Sequence, residues 1–175
     1  ANEIFTNFVN IDELQAIASK RISKCFNTES AVITASAAGG LTESVASMMT
    51  GNDLKKVFKL PNTNGMKSKV LIQRGHLTNY GAEVRQGIEL SGAKILSCGL
   101  KDSCSIEQLD KSLSKNKKNI ACAMYVVSHH CSDYNAIEIS KFLKLCKQYK
   151  IPTIVDAASE EYMEEFFKIG ADIAI

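Results

Sequence analysis

Apolar positions along the chain alternate between two rhythms. Some recur at helical spacing, and others form short continuous runs. Asn10 is placed to cap a helix whose apolar face is Ile11, Leu14, Ile17, Ala18 and Ile22. Residues 31–34 (Ala-Val-Ile-Thr) read as a short buried strand. A run of small residues, 35–40, follows, and then a helix over 41–50 with Gly51 in the left-handed position beyond it. A polar loop occupies 61–67. The next elements are a strand at 69–73, a helix at 79–91 closed by Gly92, and a strand at 94–98. Ser105-Ile106-Glu107-Gln108 fits a capping box for a helix with Ile106, Leu109 and Leu113 on one face. The run 120–127 is too continuously apolar to alternate, so both its faces are expected to be covered. Then come a helix at 135–149, presenting Ile139, Phe142, Leu143 and Cys146, and a strand at 152–156. A short helix at 160–168 ends at Gly170, and a last strand opens at 172.

Strands separated by helices imply an α/β fold, with a mostly parallel sheet and helices on both faces. Such sheets bind ligands beyond the carboxyl ends of their strands. That rule directs attention to 36–40, His76, 128–131 and Asp156.

Composition narrows the partners. The 175 residues are 45% hydrophobic and 23% charged, and 21 basic residues against 19 acidic leave a formal charge of +2. That balance offers no electrostatic case for nucleic acid or for an anionic membrane. No apolar run is long enough to span a bilayer. The start, Ala1-Asn2-Glu3-Ile4-Phe5, lacks the basic and apolar segments of a signal peptide. It also lacks Met, so the chain reads as processed or cut. The six cysteines, Cys25, Cys98, Cys104, Cys122, Cys131 and Cys146, form no C-x-x-C pair. They read as reduced thiols of a cytoplasmic protein, with Cys98 and Cys122 inside buried strands.

Four places carry candidate chemistry. Ser36-Ala37-Ala38-Gly39-Gly40 lets backbone approach an anion at a helix start, with the Ser36 hydroxyl as an extra donor; a tight packing turn is the plainer reading. It matches neither phosphate-loop motif, which leaves nucleotide binding without support. Asp156 ends an apolar strand before Ala157 and Ala158. It could pair with a protonated ring nitrogen, hold a metal or cap the next helix. His76 could stack on a ring, move protons, bind metal or serve structure, and Tyr80 could line the same pocket or simply pack. His129-His130-Cys131 has metal-ligand chemistry, but adjacent side chains are expected to diverge and no second cluster completes a site. Ser128, nearest the strand end, is the better candidate for touching a cofactor.

Taken in order, several segments resemble a known pattern. They are 8–15 (Phe-Val-Asn-Ile-Asp-Glu-Leu-Gln), the small-residue loop, Met49-Thr50-Gly51, Gly75-His76, Ser128-His129-His130-Cys131, 154–158 (Ile-Val-Asp-Ala-Ala) and Gly170-Ala171-Asp172. The pattern resembles the pyridoxal-5′-phosphate (PLP) dependent fold-type-I family that includes selenocysteine synthase and D-glucosaminate-6-phosphate ammonia lyase. The tetrad with its downstream Asp-Ala-Ala makes the ammonia-lyase-like branch the nearer match. The resemblance implies that Ser36, Ala37 and Ala38 hold the PLP phosphate, that His76 stacks on the pyridine ring, and that Asp156 binds the ring nitrogen. A buried aspartate would keep that nitrogen protonated and the ring electron-withdrawing.

The resemblance further implies that residues 1–175 are part of a large PLP-binding domain of the aspartate-aminotransferase fold type. The amino-terminal segment, the Schiff-base lysine segment and the carboxyl-terminal domain are then expected to be absent, with the lysine beyond Ile175. Lys168, on the preceding helix, is a poor substitute. The implied parent is a cytoplasmic homo-oligomer, a lyase acting on an amino acid or amino sugar acid by removing a Cα proton and expelling a β-substituent or ammonia. Two alternatives stay open: a selenium transferase-like enzyme, and a non-catalytic domain that binds a phosphorylated ligand or a partner chain.

Overall fold

The computed structural model describes residues 8–175, so the reading of the first five residues falls outside it. The chain divides into two compact units, Ala1–Ala35 and Ser36–Ile175.

In the first unit, helix α1 (Ile11–Phe26) starts where expected, because the Asn10 side chain accepts from the amides of Asp12 and Glu13. None of its residues is buried. The strand expected at 31–34 does not form. Its backbone is instead hooked to α1. Gln15 bonds both the amide and the carbonyl of Ile33, and the Ser19 hydroxyl accepts from Ala31. Val32 and Ile33 stay exposed, at 72% and 53%. Local β propensity is a weak prior, and these side-chain bonds take up the backbone groups that a strand would need.

The second unit holds helices α2 (Ala37–Thr50), α3 (Leu54–Val57), α4 (Val84–Leu90), α5 (Ile106–Asn116), α6 (Ile139–Gln148) and α7 (Glu164–Lys168), and strands β1 (Lys69–Gln73), β2 (Lys94–Cys98), β3 (Ile120–Val126), β4 (Thr153–Asp156) and β5 (Ile173–Ala174). The strands form one sheet in the order β2-β1-β3-β4-β5, and every pairing is parallel. All seven residues of β3 are buried, as its unbroken apolar run requires.

Alternate residues of the central strands feed two cores. Leu71, Ala123, Tyr125 and Val155 pack with Leu109 and Leu113 of α5 and Phe142 and Leu143 of α6. Val70, Ile72, Cys122, Met124 and Ile154 pack with Leu41, Val45 and Met49 of α2 and Val84 and Ile88 of α4. Helices therefore cover both faces, and the period of two along each strand decides which core a residue joins.

Local chemistry sets the ends. The capping box on α5 is present in full, with Gln108 and Ser105 bonding each other's backbone amides. Gly92 has φ +86°, and a Cβ there would stand 2.1 Å from the Pro61 carbonyl oxygen, so only glycine fits the turn into β2. Four helix starts differ from expectation; α6 and α7 each begin four residues late, at Ile139 and Glu164. α2 begins at Ala37, so the small residues are its first turn rather than a loop before it. The helix expected from 79 begins at Val84, because Thr78 to Glu83 forms a turn closed by the Val84 amide on the Thr78 carbonyl.

Candidate functional site

From β1 the chain moves outward to β2 and then crosses back to β3 on the other side of β1. The carboxyl ends of β1 and β3 thus flank the reversal point at which open α/β sheets place ligands. His76 occupies that position, in a 3-10 turn (Arg74–His76) directly after β1. It is 1% exposed, and its Nδ1 accepts from the Val126 amide at 3.2 Å. The ring packs steeply tilted against Tyr125 and Tyr134, with centroids 4.4 Å and 6.1 Å apart. Burial lowers its pKa to about 4, so the ring is neutral at pH 7.

Asp156 ends β4, beside Val126 in register, and the two strands continue pairing through the Val127 amide on the Asp156 carbonyl. Its side chain is buried, and none of the ion pairs among the described residues involves it. It caps no helix; α7 begins only at Glu164. Its Oδ2 accepts from the Tyr80 hydroxyl at 2.9 Å. Burial raises the carboxyl pKa, while the bonds from Tyr80 and from the Ala158 backbone pull it back down. Burial, helped by the same contact, holds the Tyr80 phenol above its usual range.

Ser36 caps α2, its Oγ accepting from Gly39 at 3.0 Å. The amides of Ala37 and Ala38 lie in the first turn, where no helical carbonyl reaches them, and the helix dipole adds positive character. A hydroxyl can donate as well as accept, so capping and contact with an anion are compatible roles for Ser36. Thr42 bonds the Gly87 carbonyl at 2.8 Å and fixes α2 against α4. Ala38, Gly39 and Tyr80 line one groove between these helices.

Ser128 caps a 3-10 turn (His129–Cys131) after β3, and its Oγ accepts from the His130 amide. The turn brings the His129 and His130 rings to 4.0 Å, so these neighbours do not diverge as expected. Among the described residues, no three His, Cys, Asp or Glu side chains gather to hold a metal.

The candidates therefore fall on two openings. The start of α2 shares a groove with Tyr80, and His76 and Ser128 line a second cavity with Cys131 and Tyr134. Asp156 joins the first through the Tyr80 hydroxyl and the second through the backbone of Val126 and Val127. As placed, His76 presents its ring to protein edges, and Tyr80 is the aromatic side chain that touches Asp156. The sequence reading gave Tyr80 only a passing role, and it passed over Tyr134 and Gln73. Gln73 carried a usable signal: a polar residue closing an apolar strand is either a strand end or a buried hydrogen-bonding group, and it is fully buried. A buried carboxylate that accepts from neutral donors, the Tyr80 hydroxyl and the Ala158 backbone, keeps capacity for a cationic partner.

No protein-family model matches the sequence. The chain is 34% identical over 168 residues to D-glucosaminate-6-phosphate ammonia lyase of Salmonella typhimurium, covering 96% of this chain and 45% of that protein. A solved structure of D-glucosaminate-6-phosphate ammonia-lyase superposes with a TM-score of 0.89 at 32% identity, over 95% of this chain and 45% of the other. A 5'-C-glycyluridine monooxygenase-decarboxylase of Streptomyces is 25% identical over 169 residues, 95% of this chain and 42% of that one. The pyridoxal-5′-phosphate dependent protein YhfS of Escherichia coli shares the fold, with a TM-score of 0.60 at 12% identity over 89% of this chain and 37% of its own. The chain thus spans less than half the length of the curated relatives it matches. Over that span it is a homologue of D-glucosaminate-6-phosphate ammonia lyase, and it has the fold of the PLP-dependent fold-type-I family.

Proposed function

We propose that this chain is the cofactor-holding part of a PLP-dependent lyase that acts on an amino sugar acid or a related amino acid. The observation that carries the reading is Asp156: a buried carboxylate at a strand's carboxyl end, next to the reversal point of the sheet, in none of the ion pairs among the described residues and accepting from neutral donors. Such a group suits a ring nitrogen that arrives with its own proton and charge.

The residues divide the work. Ser36 and the amides of Ala37 and Ala38 would receive the phosphate at the start of α2. Asp156 would hold the proton on the ring nitrogen, and Ser128 would approach from the end of β3. His76 would lie against the ring, which requires its imidazole to turn from Tyr125 toward the opening; Tyr80, on the groove at the start of α2, is the aromatic side chain that touches Asp156. When bound, PLP supplies an electron sink for a carbanion formed beside the amino-bearing carbon. Neither cavity is lined by a lysine. The reading therefore assigns the Schiff-base lysine to sequence outside these 175 residues, in a longer enzyme.

The test is PLP content and turnover in the protein that contains this chain. PLP released by alkali should approach one per chain, and ammonia should be released from a phosphorylated 2-amino-2-deoxy sugar acid. Asp156→Asn should lower PLP occupancy and turnover by about tenfold or more. Wild-type protein that holds no PLP, or an Asp156→Asn variant that holds it as tightly as wild type, overturns the reading.

A further inference from the structure

Tyr80 and Asp156 lie 76 residues apart in sequence and meet at 2.9 Å. The tyrosine is 43% exposed, so little packing holds it in place. The turn beneath it is nonetheless well pinned. The Gly81 amide bonds Asn79 Oδ1 at 2.9 Å, Gly81 takes φ +99°, and the Val84 amide closes on the Thr78 carbonyl. The ring also leans on His130, with centroids 5.9 Å apart. A fixed turn thus presents a phenol whose hydroxyl reaches inward to the buried carboxylate, while its ring borders the groove at Ala38 and Gly39.

From this geometry we infer that Tyr80 is a positioning residue for Asp156: its hydroxyl holds one carboxylate oxygen, so that the other faces the place of the cofactor ring nitrogen. The inference rests on the cofactor reading above. A neutral donor suits the task, because it orients the carboxylate without cancelling the charge that a protonated ring nitrogen needs. A lysine or arginine at the same point would compete with the ligand. Electrostatics agree with the geometry. Burial favours the uncharged carboxyl, and the bonds from Tyr80 and from the Ala158 backbone oppose it; of the titratable side chains, Tyr80 and Cys131 interact with Asp156.

The experiment uses two probes that cannot condense with a lysine: 4-deoxypyridoxine 5′-phosphate, and its carbocyclic analogue with CH in place of the ring nitrogen. Dissociation constants are measured by calorimetry on the protein containing this chain. Wild type should prefer the nitrogen compound, and Asp156→Asn should abolish the preference. Tyr80→Phe should cut the preference by about tenfold and leave the affinity for the carbocycle unchanged. If Tyr80 only packs, Tyr80→Phe keeps the wild-type preference and Tyr80→Leu weakens both probes alike; that result overturns the inference and leaves the cofactor reading standing. Should Tyr80→Phe fail to fold by circular dichroism, Tyr80→Leu is judged by the same ratio: an unchanged preference overturns the inference, and a lost one supports it. Wild-type protein that binds neither probe, or both equally, overturns the cofactor reading together with the inference.

Discussion

Tyr134 packs against Gly75 so closely that a Cβ on residue 75 would stand 2.0 Å from the tyrosine Cγ and 2.2 Å from Cδ2. The glycine of the Gly75-His76 pair is thus explained by a neighbour 59 positions away. It makes room for a ring that also walls the cavity beside His76. Gly75→Ala is expected to destabilise the protein by about 2 kcal/mol, as overpacking does, and to lower the urea midpoint accordingly. Adding Tyr134→Ala should recover part of that loss. Strict additivity in the double variant would show that the two residues do not share the space.

His76 gives a pH dependence with a definite sign. Its pKa falls from 6.5 in the unfolded chain to about 4 in the fold. The unfolded state therefore binds the proton more tightly. The contribution is complete above pH 6.5 and is lost progressively as pH falls toward 4. The full effect is about 3 kcal/mol. Urea titrations of wild type and His76→Gln across this window isolate it, since glutamine can still accept from Val126 but does not titrate. Equal slopes in the two proteins would contradict a buried neutral imidazole.

Gln73 is fully buried, and its Oε1 accepts from the Ile137 amide at 2.8 Å, tying the end of β1 to the segment before α6. Gln73→Met keeps the volume but leaves that amide without its partner. That stranded amide is expected to cost about 1–2 kcal/mol, kept modest because removing Nε2, a buried group with no hydrogen bond among the described residues, offsets part of the loss. The local readout is amide exchange: Ile137 should exchange faster in the variant while its neighbours change less.

Thiol chemistry should sort the cysteines by depth. Cys25 is exposed, whereas burial pushes Cys122 and Cys146 up to about 12. With iodoacetamide near about pH 8, Cys25 should be alkylated first, and Cys122 and Cys146 only after unfolding, as mass spectrometry of the digested protein would report. Early labelling of Cys122 would mean that the two faces of β3 are not both covered.

Some of this architecture was legible because it depends on near neighbours. The unbroken apolar run of β3 implied two covered faces, and Ser105 with Gln108 announced the cap of α5 within four residues. Asn10 announced α1 in the same way. Where a distant group competed, local reading failed. Val32 and Ile33 have strand propensity, but Gln15 and Ser19 hold that backbone. The small residues after Ser36 looked like a loop because Gly39 and Gly40 weaken the local helix preference; the Ser36 cap and the packing of α2 on α4 decided for helix.

The sequence by itself determined the alternation of helices and strands, the parallel sheet with both faces covered, and the residues that stand at strand ends, since each follows from periodicity and capping within a few positions. Only the tertiary structure decided that His76 is enclosed between Tyr125, Tyr134 and Val126, that Tyr134 needs a glycine at 75, and that Asp156 is met by Tyr80. Those relations join groups dozens of residues apart. The order in which strands lie side by side, rather than their order along the chain, brings them within hydrogen-bonding reach.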